Sequence, residues 1–312
     1  MRFPGYPMFR FRIAPAAWQA FAVLLLLAFC AAAGAADKVI YDKPSAYNNI
    51  IVTEDDEGYR VLRFERFGAR QSIAKPGDPT YLGFAYTKVA FAGLALAHDV
   101  RRIMIVGLGG GTMPMFLRHY YPNAAIDVVD IDPDVVHVAK EYFGFREDAS
   151  LRAHVGDGRK FVESVREPYD VVFLDAFGTR NVPPHLTTIE FLKAVKRSVR
   201  PTGVVIGNIW GRPSNPLYDS MVRTYQEVFD ELNIVDVPGT TNKILLALSR
   251  KQPLDRARFS EIARKLGTDK GFAFDPGDIA EDQFANATRK SRTGRVLRDA
   301  DVAKAREPEA VK

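Results

Sequence analysis

Cysteine is almost absent: Cys30 is the only one in 312 residues, and it lies in an apolar N-terminal stretch. The rest of the chain therefore offers neither a disulfide framework nor thiolate chemistry. Histidine is scarce as well, and His98, His119, His137, His154 and His185 are scattered without the spacing of zinc ligands, so no metal is expected. There is no nucleophile elbow and no internal repeat. Charge of one sign is also lacking. The chain carries 43 Lys and Arg against 38 Asp and Glu, and three of the basic residues, Arg2, Arg10 and Arg12, precede the apolar stretch. Beyond residue 36 the balance is 40 to 38. A dedicated nucleic-acid binder is normally far more lopsided, so no nucleic-acid partner is expected. The basic run "RKSRTGR" at residues 289–295 reads as a solvated tail.

Long hydrophobic runs are limited to one. Residues 20–33 form an uninterrupted apolar stretch of 14, short of the ~20 that span a bilayer. With a basic start before it and the small residues Ala33 and Ala35 after it, residues 1–36 read as a signal peptide, with an uncleaved membrane anchor as the alternative. The three arginines favour a cytoplasmic N-terminus and an exported body, periplasmic or anchored facing the periplasm. Membrane association is expected only through this segment.

The remainder is rich in alternating patterns. From Tyr47 to Ile73, β-formers alternate with polar residues and break at Asp56-Glu57-Gly58 and at Gly68, which predicts a small antiparallel β-hairpin region over residues 37–76. A helical stretch, "PTYLGFAYTKVAFAGLALA", follows, with Asp78-Pro79 as its start signal. Then the rhythm becomes strand, helix, strand, helix: "RIMIVGL", "AAIDVVDID", "LRAHVGD", "YDVVFLDAF" and "VVIGNIW" are strands, with "LNIVDVP" and "NKILLALS" closing the series. Alternating βα units predict an α/β fold, a doubly wound, mostly parallel sheet of seven strands over residues 77–250. Thr187 and Glu190 have capping-box spacing for the helix "TTIEFLKAVKRSV". Residues 251–312 read as a charged helix and a loosely held tail.

Ligands of such a sheet bind outside the carboxyl ends of its strands, and the suspicious residues fall there. Gly107, Gly109 and Gly111 lie in the loop "GLGGG" after the first strand, where glycine lets backbone pass close under a ligand. Asp130 ends the second strand, nineteen residues after Gly111, at the spacing of an acid that accepts from ribose hydroxyls. Asp132 fits helix capping. Asp157, in "GDG" after the third strand, fits either an exocyclic adenine amine or an Asx turn. Asp175 ends the buried strand "VVFLDAF", where a carboxylate is costly unless paired or used; capping of the following loop is the alternative. Asn208 is a further candidate to line a pocket, and Trp210 fits that role or an ordinary buried aromatic.

The run "IVGLGGG", "VVDID", "VGDG", "VVFLDAF", "PPHLTT" and "EFL" resembles the polyamine aminopropyltransferases, the spermidine synthase family, over residues 47–249. The resemblance implies a class I methyltransferase-like Rossmann core, decarboxylated S-adenosylmethionine as co-substrate, and aminopropyl transfer to a small-molecule amine. It implies ribose contact by Asp130, adenine contact by Asp157, amine activation by Asp175, and substrate contacts by Gln71 and Tyr86. Pairing of two copies through the N-terminal sheet is also implied.

This chain departs from the family at the pocket's acids. Gly110 stands where the family loop has an aspartate facing the donor's amino end, and Gly178 where it has a second one. Of the family's Tyr-His-Glu only Tyr86 remains, and Arg180 adds a cation to the lid "GTRNVPPHL", which also carries His185. Two alternatives follow: methyl transfer from ordinary S-adenosylmethionine, and a non-catalytic exported nucleoside-binding protein.

Overall fold

The computed structural model describes residues 37–178, 181–281 and 283–306. The expected leader at 1–36 and Arg180 lie outside them. The chain divides at Lys38, and its body runs from Val39 onward.

The body opens with a four-stranded sheet in the order β1-β2-β3-β4: β1 Lys38–Pro44, β2 Asn49–Glu54, β3 Arg60–Arg63 and β4 Arg70–Ala74. The β2-β3 and β3-β4 pairs are antiparallel. Ile50, Val52 and Leu62 turn one face of this sheet onto Val135, Val138 and Phe143 of the following domain.

That domain contains an eight-stranded sheet in the order β12-β10-β11-β9-β8-β5-β6-β7. Strands β5 (Arg102–Val106), β6 (Ala125–Asp130), β7 (Leu151–Val155), β8 (Tyr169–Leu174) and β9 (Val199–Trp210) run parallel. Antiparallel β11 (Asn242–Leu248), β10 (Glu231–Asp236) and β12 (Phe284–Asn286) extend one side. Strands buried on both faces are apolar throughout, and β5 shows why. Ile103 and Ile105 join the cluster with Val89, Phe91 and Phe116, while Met104 and Val106 join the opposite one with Phe191, Leu192 and Tyr225.

The helices covering these faces are α1 Ala85–Ala92, α2 Thr112–Tyr120, α3 Pro133–Tyr142, α4 Gly158–Glu163, α5 Ile189–Ser198, α6 Tyr218–Val228, α7 Arg256–Lys270, α8 Pro276–Glu281 and α9 Asp299–Arg306. Among the described residues, none is long and apolar enough to cross a membrane.

Four expectations change. The sheet has an eighth strand, β12, drawn from the segment read as a loose tail. That segment is well held where it is described: Phe284 and Leu297 are buried, Gln226 Nε2 donates to the carbonyls of Ala287 and Arg289, and Ile189 N donates to Leu297 O at 2.8 Å. The large apolar residues of 273–306, Phe274, Ile279, Phe284, Val296, Leu297 and Val302, are too thinly spread among charges to register as periodicity. Helix α1 begins at Ala85 rather than near Asp78, whose carboxylate instead organises a local turn through Thr80 N at 2.9 Å. The intervening Gly83 lies flat on β4, where a Cβ would approach Ile73 Cβ to 2.6 Å. Finally, Thr188 rather than Thr187 caps α5, accepting from Phe191 N at 3.3 Å, and Glu190 accepts from Asp299 N instead of closing a capping box.

Candidate active site

Parallel strands deliver their carboxyl ends to one edge, and the crevice forms where the order reverses. Here the reversal lies at the β5/β8 pair: the chain leaves β5 toward β6 and β7, then returns to place β8 and β9 on the other side. The two tips are tightly meshed. Asp175 N donates to Val106 O at 2.9 Å, and Gly107 N to Val129 O at 2.8 Å. Gly107 has φ +104°, and a Cβ on it would lie 2.4 Å from the carbonyl oxygen of Asp175. Only glycine fits this corner.

Above the corner is a cavity of about 590 Å³, within the usual range for small-molecule sites. Gly107, Gly109, Asp130, Asp157, Asp175, Tyr86 and Gln71 all line it, as do Asn208 and His185. The sequence therefore brings together residues more than a hundred positions apart. Gly111 is not among the lining residues. It caps α2 in a left-handed conformation, and Phe145 fills the space on its Cβ side, 2.8 Å from where that atom would be. Trp210 also stays out of the lining and packs on Phe177 with ring centres 5.4 Å apart.

The three carboxylates are held differently. Asp130 accepts from Leu108 N at 2.8 Å and from Asp132 N at 3.0 Å. Burial pushes its pKa up against the pull of these amides. A carboxylate has about four acceptor positions, so lone pairs remain for further donors. Asp157 caps α4 through Oδ1, accepting from Arg159 N at 2.8 Å and Lys160 N at 3.1 Å, while Oδ2 meets His185 Nε2 at 3.1 Å. Asp132, as expected, caps α3 through Asp134 N at 3.0 Å; its second oxygen takes Ser45 Oγ at 2.5 Å. This contact ties the loop carrying Tyr47 and Asn48, both lining residues, to the strand tips.

Asp175 is set between neutral donors. Tyr86 Oη donates to Oδ2 at 2.9 Å and Asn208 Nδ2 donates to Oδ1 at 2.8 Å. Burial raises its pKa to about 6, with the Asn208 and Tyr86 hydrogen bonds opposing the rise. The same burial, followed by the Asp175 charge, keeps the Tyr86 phenol protonated by raising its pKa well above the ordinary value. Asn242 Nδ2 donates to Asn208 Oδ1 at 2.9 Å, which fixes the amide orientation and points its NH2 at Asp175. Asn242 escaped the sequence reading. It is diagonal to Asn208 across the β9/β11 pair, a relation visible only once the register Ile244 to Asn208 is known.

This doubly wound sheet, with acids at its strand tips around the cavity, has the architecture of the methyltransferase-like Rossmann fold. The pattern of the spermine/spermidine synthase domain matches residues 84–237. The chain is 33% identical to the polyamine aminopropyltransferase of Vibrio vulnificus over 226 residues, 70% of this chain and 75% of that protein. It belongs to the spermine/spermidine synthase family and is a transferase. It is also 32% identical over 216 residues, 62% of its length, to the human eEF1A lysine and N-terminal methyltransferase, of which it spans only 31%. The crystal structure of human methyltransferase-like protein 13 in complex with SAH superposes with a TM-score of 0.55 at 30% identity, covering 60% of this chain and 92% of that one.

Proposed function

We propose that the protein binds decarboxylated S-adenosylmethionine in this cavity and transfers its aminopropyl group to a small-molecule amine. The observation that carries the reading is the Asp175 carboxylate, held between Tyr86 and Asn208 at the strand-order reversal. The attacking amine forms a C–N bond at the carbon beside the sulfonium while the C–S bond breaks, leaving a neutral thioether and a proton to be removed. An alkylamine with a pKa near ~10 is mostly charged at neutral pH, so a positioned base is needed. A carboxylate raised to about 6 takes that proton more readily than an ordinary aspartate and is still ionised at pH 7. Gly107 and Gly109 let the donor lie close to the strand tip, Asp130 accepts from the ribose, and Asp157 with His185 walls the adenine side. Gln71 and Tyr86 face the amine. Positioning of both reactants supplies the larger share of the rate.

A second reading, methyl transfer from S-adenosylmethionine, is favoured by Gly110. A Cβ there would lie 2.7 Å from Ser72 Oγ and 2.8 Å from Phe143 Cδ1. The carboxylate that family resemblance puts beside the amino end of a decarboxylated donor would therefore enter only if Ser72 and Phe143 shifted.

Titration with decarboxylated S-adenosylmethionine, S-adenosylmethionine and methylthioadenosine tests the proposal. All three are expected to bind, and the decarboxylated donor is expected to alkylate an amine with release of methylthioadenosine. Release of S-adenosylhomocysteine from the ordinary donor alone would replace this reading with the second. Binding of none overturns both.

The C-terminal segment supports the adenine wall. Arg159 makes a bidentate pair with Asp299, both contacts at 2.7 Å, and also donates to His185 O at 3.3 Å. Thr188 Oγ1 donates to the same Asp299 carboxylate at 2.7 Å. Fork-to-fork geometry makes this pair stronger than a typical surface salt bridge, but Asp299 is partly solvated and screened. Asp299→Ala is therefore expected to weaken methylthioadenosine binding by about fivefold with secondary structure intact, as read by calorimetry and circular dichroism. Unchanged affinity would separate the segment from the site.

A further inference from the structure

We propose that Arg70 receives a carboxylate carried by one of the two reactants, so that the site takes an acidic reactant rather than only a diamine and a decarboxylated donor. The inference rests on the alkyl-transfer reading above and concerns the charge of what is alkylated or what alkylates.

A diamine and an amine-tailed donor bring several ammonium groups into one cavity, and each calls for an acidic partner. The cavity does not supply them. Of its three lining carboxylates, Asp130 holds the glycine loop through backbone amides, and Asp157 caps α4 and faces His185. Of the three, Asp175 alone is held on both oxygens by side chains, the neutral Tyr86 and Asn208, rather than by backbone. Positions 110 and 178, the other two places for acids, are glycines, and Ser72 and Phe143 already occupy the side-chain space at 110.

In place of acids, the lining contains a guanidinium. Among the described lining residues Arg70 is the only lysine or arginine. It sits at the start of β4, exposed at the rim, immediately before Gln71. Nearby, Arg60 pairs with Glu54 and Arg66 with Asp42, while Arg63, opposite Arg70 in the β3/β4 register, donates to Thr53 Oγ1 at 3.3 Å; no described carboxylate lies within salt-bridge distance of Arg70. Its guanidinium carbon is 6.0 Å from the Phe84 ring centre, at the outer limit of a cation–π contact. Phe84 in turn stacks on Tyr86, the partner of Asp175. A cation thus borders the side of the cavity that carries the amine-activating acid. It repels a second ammonium and attracts a carboxylate, which an arginine fork binds through two parallel hydrogen bonds.

Such a carboxylate has two sources: the methionine tail of an ordinary sulfonium donor, or the far end of an amino-acid-like acceptor. The full-length chain and its Arg70→Gln and Arg70→Lys variants distinguish them. Binding of S-adenosylmethionine and of its decarboxylated form is measured by calorimetry, with methylthioadenosine as a probe lacking both tail charges. Turnover with the decarboxylated donor is compared for 1,4-diaminobutane and 4-aminobutanoate. If the donor is the source, Arg70→Gln weakens S-adenosylmethionine about tenfold relative to its decarboxylated form. If the acceptor is the source, the wild-type chain prefers 4-aminobutanoate and Arg70→Gln loses that preference by about tenfold. Either result supports the proposal, and Arg70→Lys should recover part of the effect. Methylthioadenosine affinity unchanged in all three proteins, with both ratios also unchanged, overturns it. Failure of the wild-type chain to bind any of the three nucleosides overturns the underlying reading and the inference with it.

Discussion

Asp175→Asn is expected to lower kcat by about a thousandfold while leaving methylthioadenosine affinity within about threefold. The substitution is close to isosteric, and its surroundings tolerate it. Asn208 can still donate to the retained carbonyl oxygen, and the Tyr86 hydroxyl, now a donor to Oδ2, can rotate to accept from the new amide. What disappears is the capacity to take a proton, and general-base catalysis is typically worth 10² to 10⁴ in rate. Single-turnover rates and calorimetry on the same preparation check both halves. An unchanged rate would remove Asp175 from its assigned role.

The pH dependence follows from the same group. Because the carboxyl titrates at about 6, the wild-type rate should climb on the acid side through that value, and the asparagine variant should lose this limb. The stability consequence has the opposite sense. An unfolded aspartate titrates near ~3.9, so the folded state binds the proton more tightly than the unfolded one. The contribution to stability is complete below the unfolded value and is lost as pH rises through about 6. Asparagine carries no such cost, and at pH 8 the variant should melt no lower than the wild type. A carboxylate kept as a base at the expense of stability is the trade expected if Asp175 serves the proposed reaction.

Much of the architecture was legible because its causes are local. Double-faced burial gives β5 and β8 their apolar runs, Ile103–Val106 and Val171–Leu174, and βα alternation with short turns leaves few alternatives to a parallel sheet. The acids were legible for a related reason: parallel strands must bring Asp130, Asp157 and Asp175 to the same edge wherever the helices fall. What escaped depends on register and on contacts distant in sequence. Asn242 reaches Asn208 through strand pairing. Arg159 reaches Asp299 across 140 residues, and β12 was hidden because a three-residue edge strand has no periodicity to detect. Asp157 was ambiguous between a turn and a ligand contact because it has two oxygens, one already capping α4 and the other facing the cavity wall.

Gly107→Ala is expected to cost about 3 kcal/mol or more of stability and at least a hundredfold in turnover, whereas Gly109→Ala, two residues on, should cost about 1 kcal/mol and weaken donor binding with little change in the rate at saturating donor. Both glycines have positive φ and both line the cavity, so loop composition alone does not separate them. Gly109, at φ +54°, lies in the left-handed region that L-residues reach for roughly 1–2 kcal/mol. Its added Cβ meets nothing closer than 3.7 Å. Gly107, at φ +104°, lies outside that region, and its Cβ would sit 2.4 Å from the carbonyl oxygen of Asp175 and 3.1 Å from Ala176 Cα. That obstacle is backbone, and Asp175 N is itself bonded to Val106 O at 2.9 Å, so relief of the clash must shift the β8 tip. The moving element carries Asp175, the carboxylate proposed to activate the amine, and displacement of a reacting group by about 1 Å costs on the order of a hundredfold in rate. Thermal melts should therefore show a large drop for Gly107→Ala and one of about 2–4 °C for Gly109→Ala. Equal melting temperatures for the two would contradict the assignment of the β5/β8 corner as the point where backbone packing sets the position of Asp175.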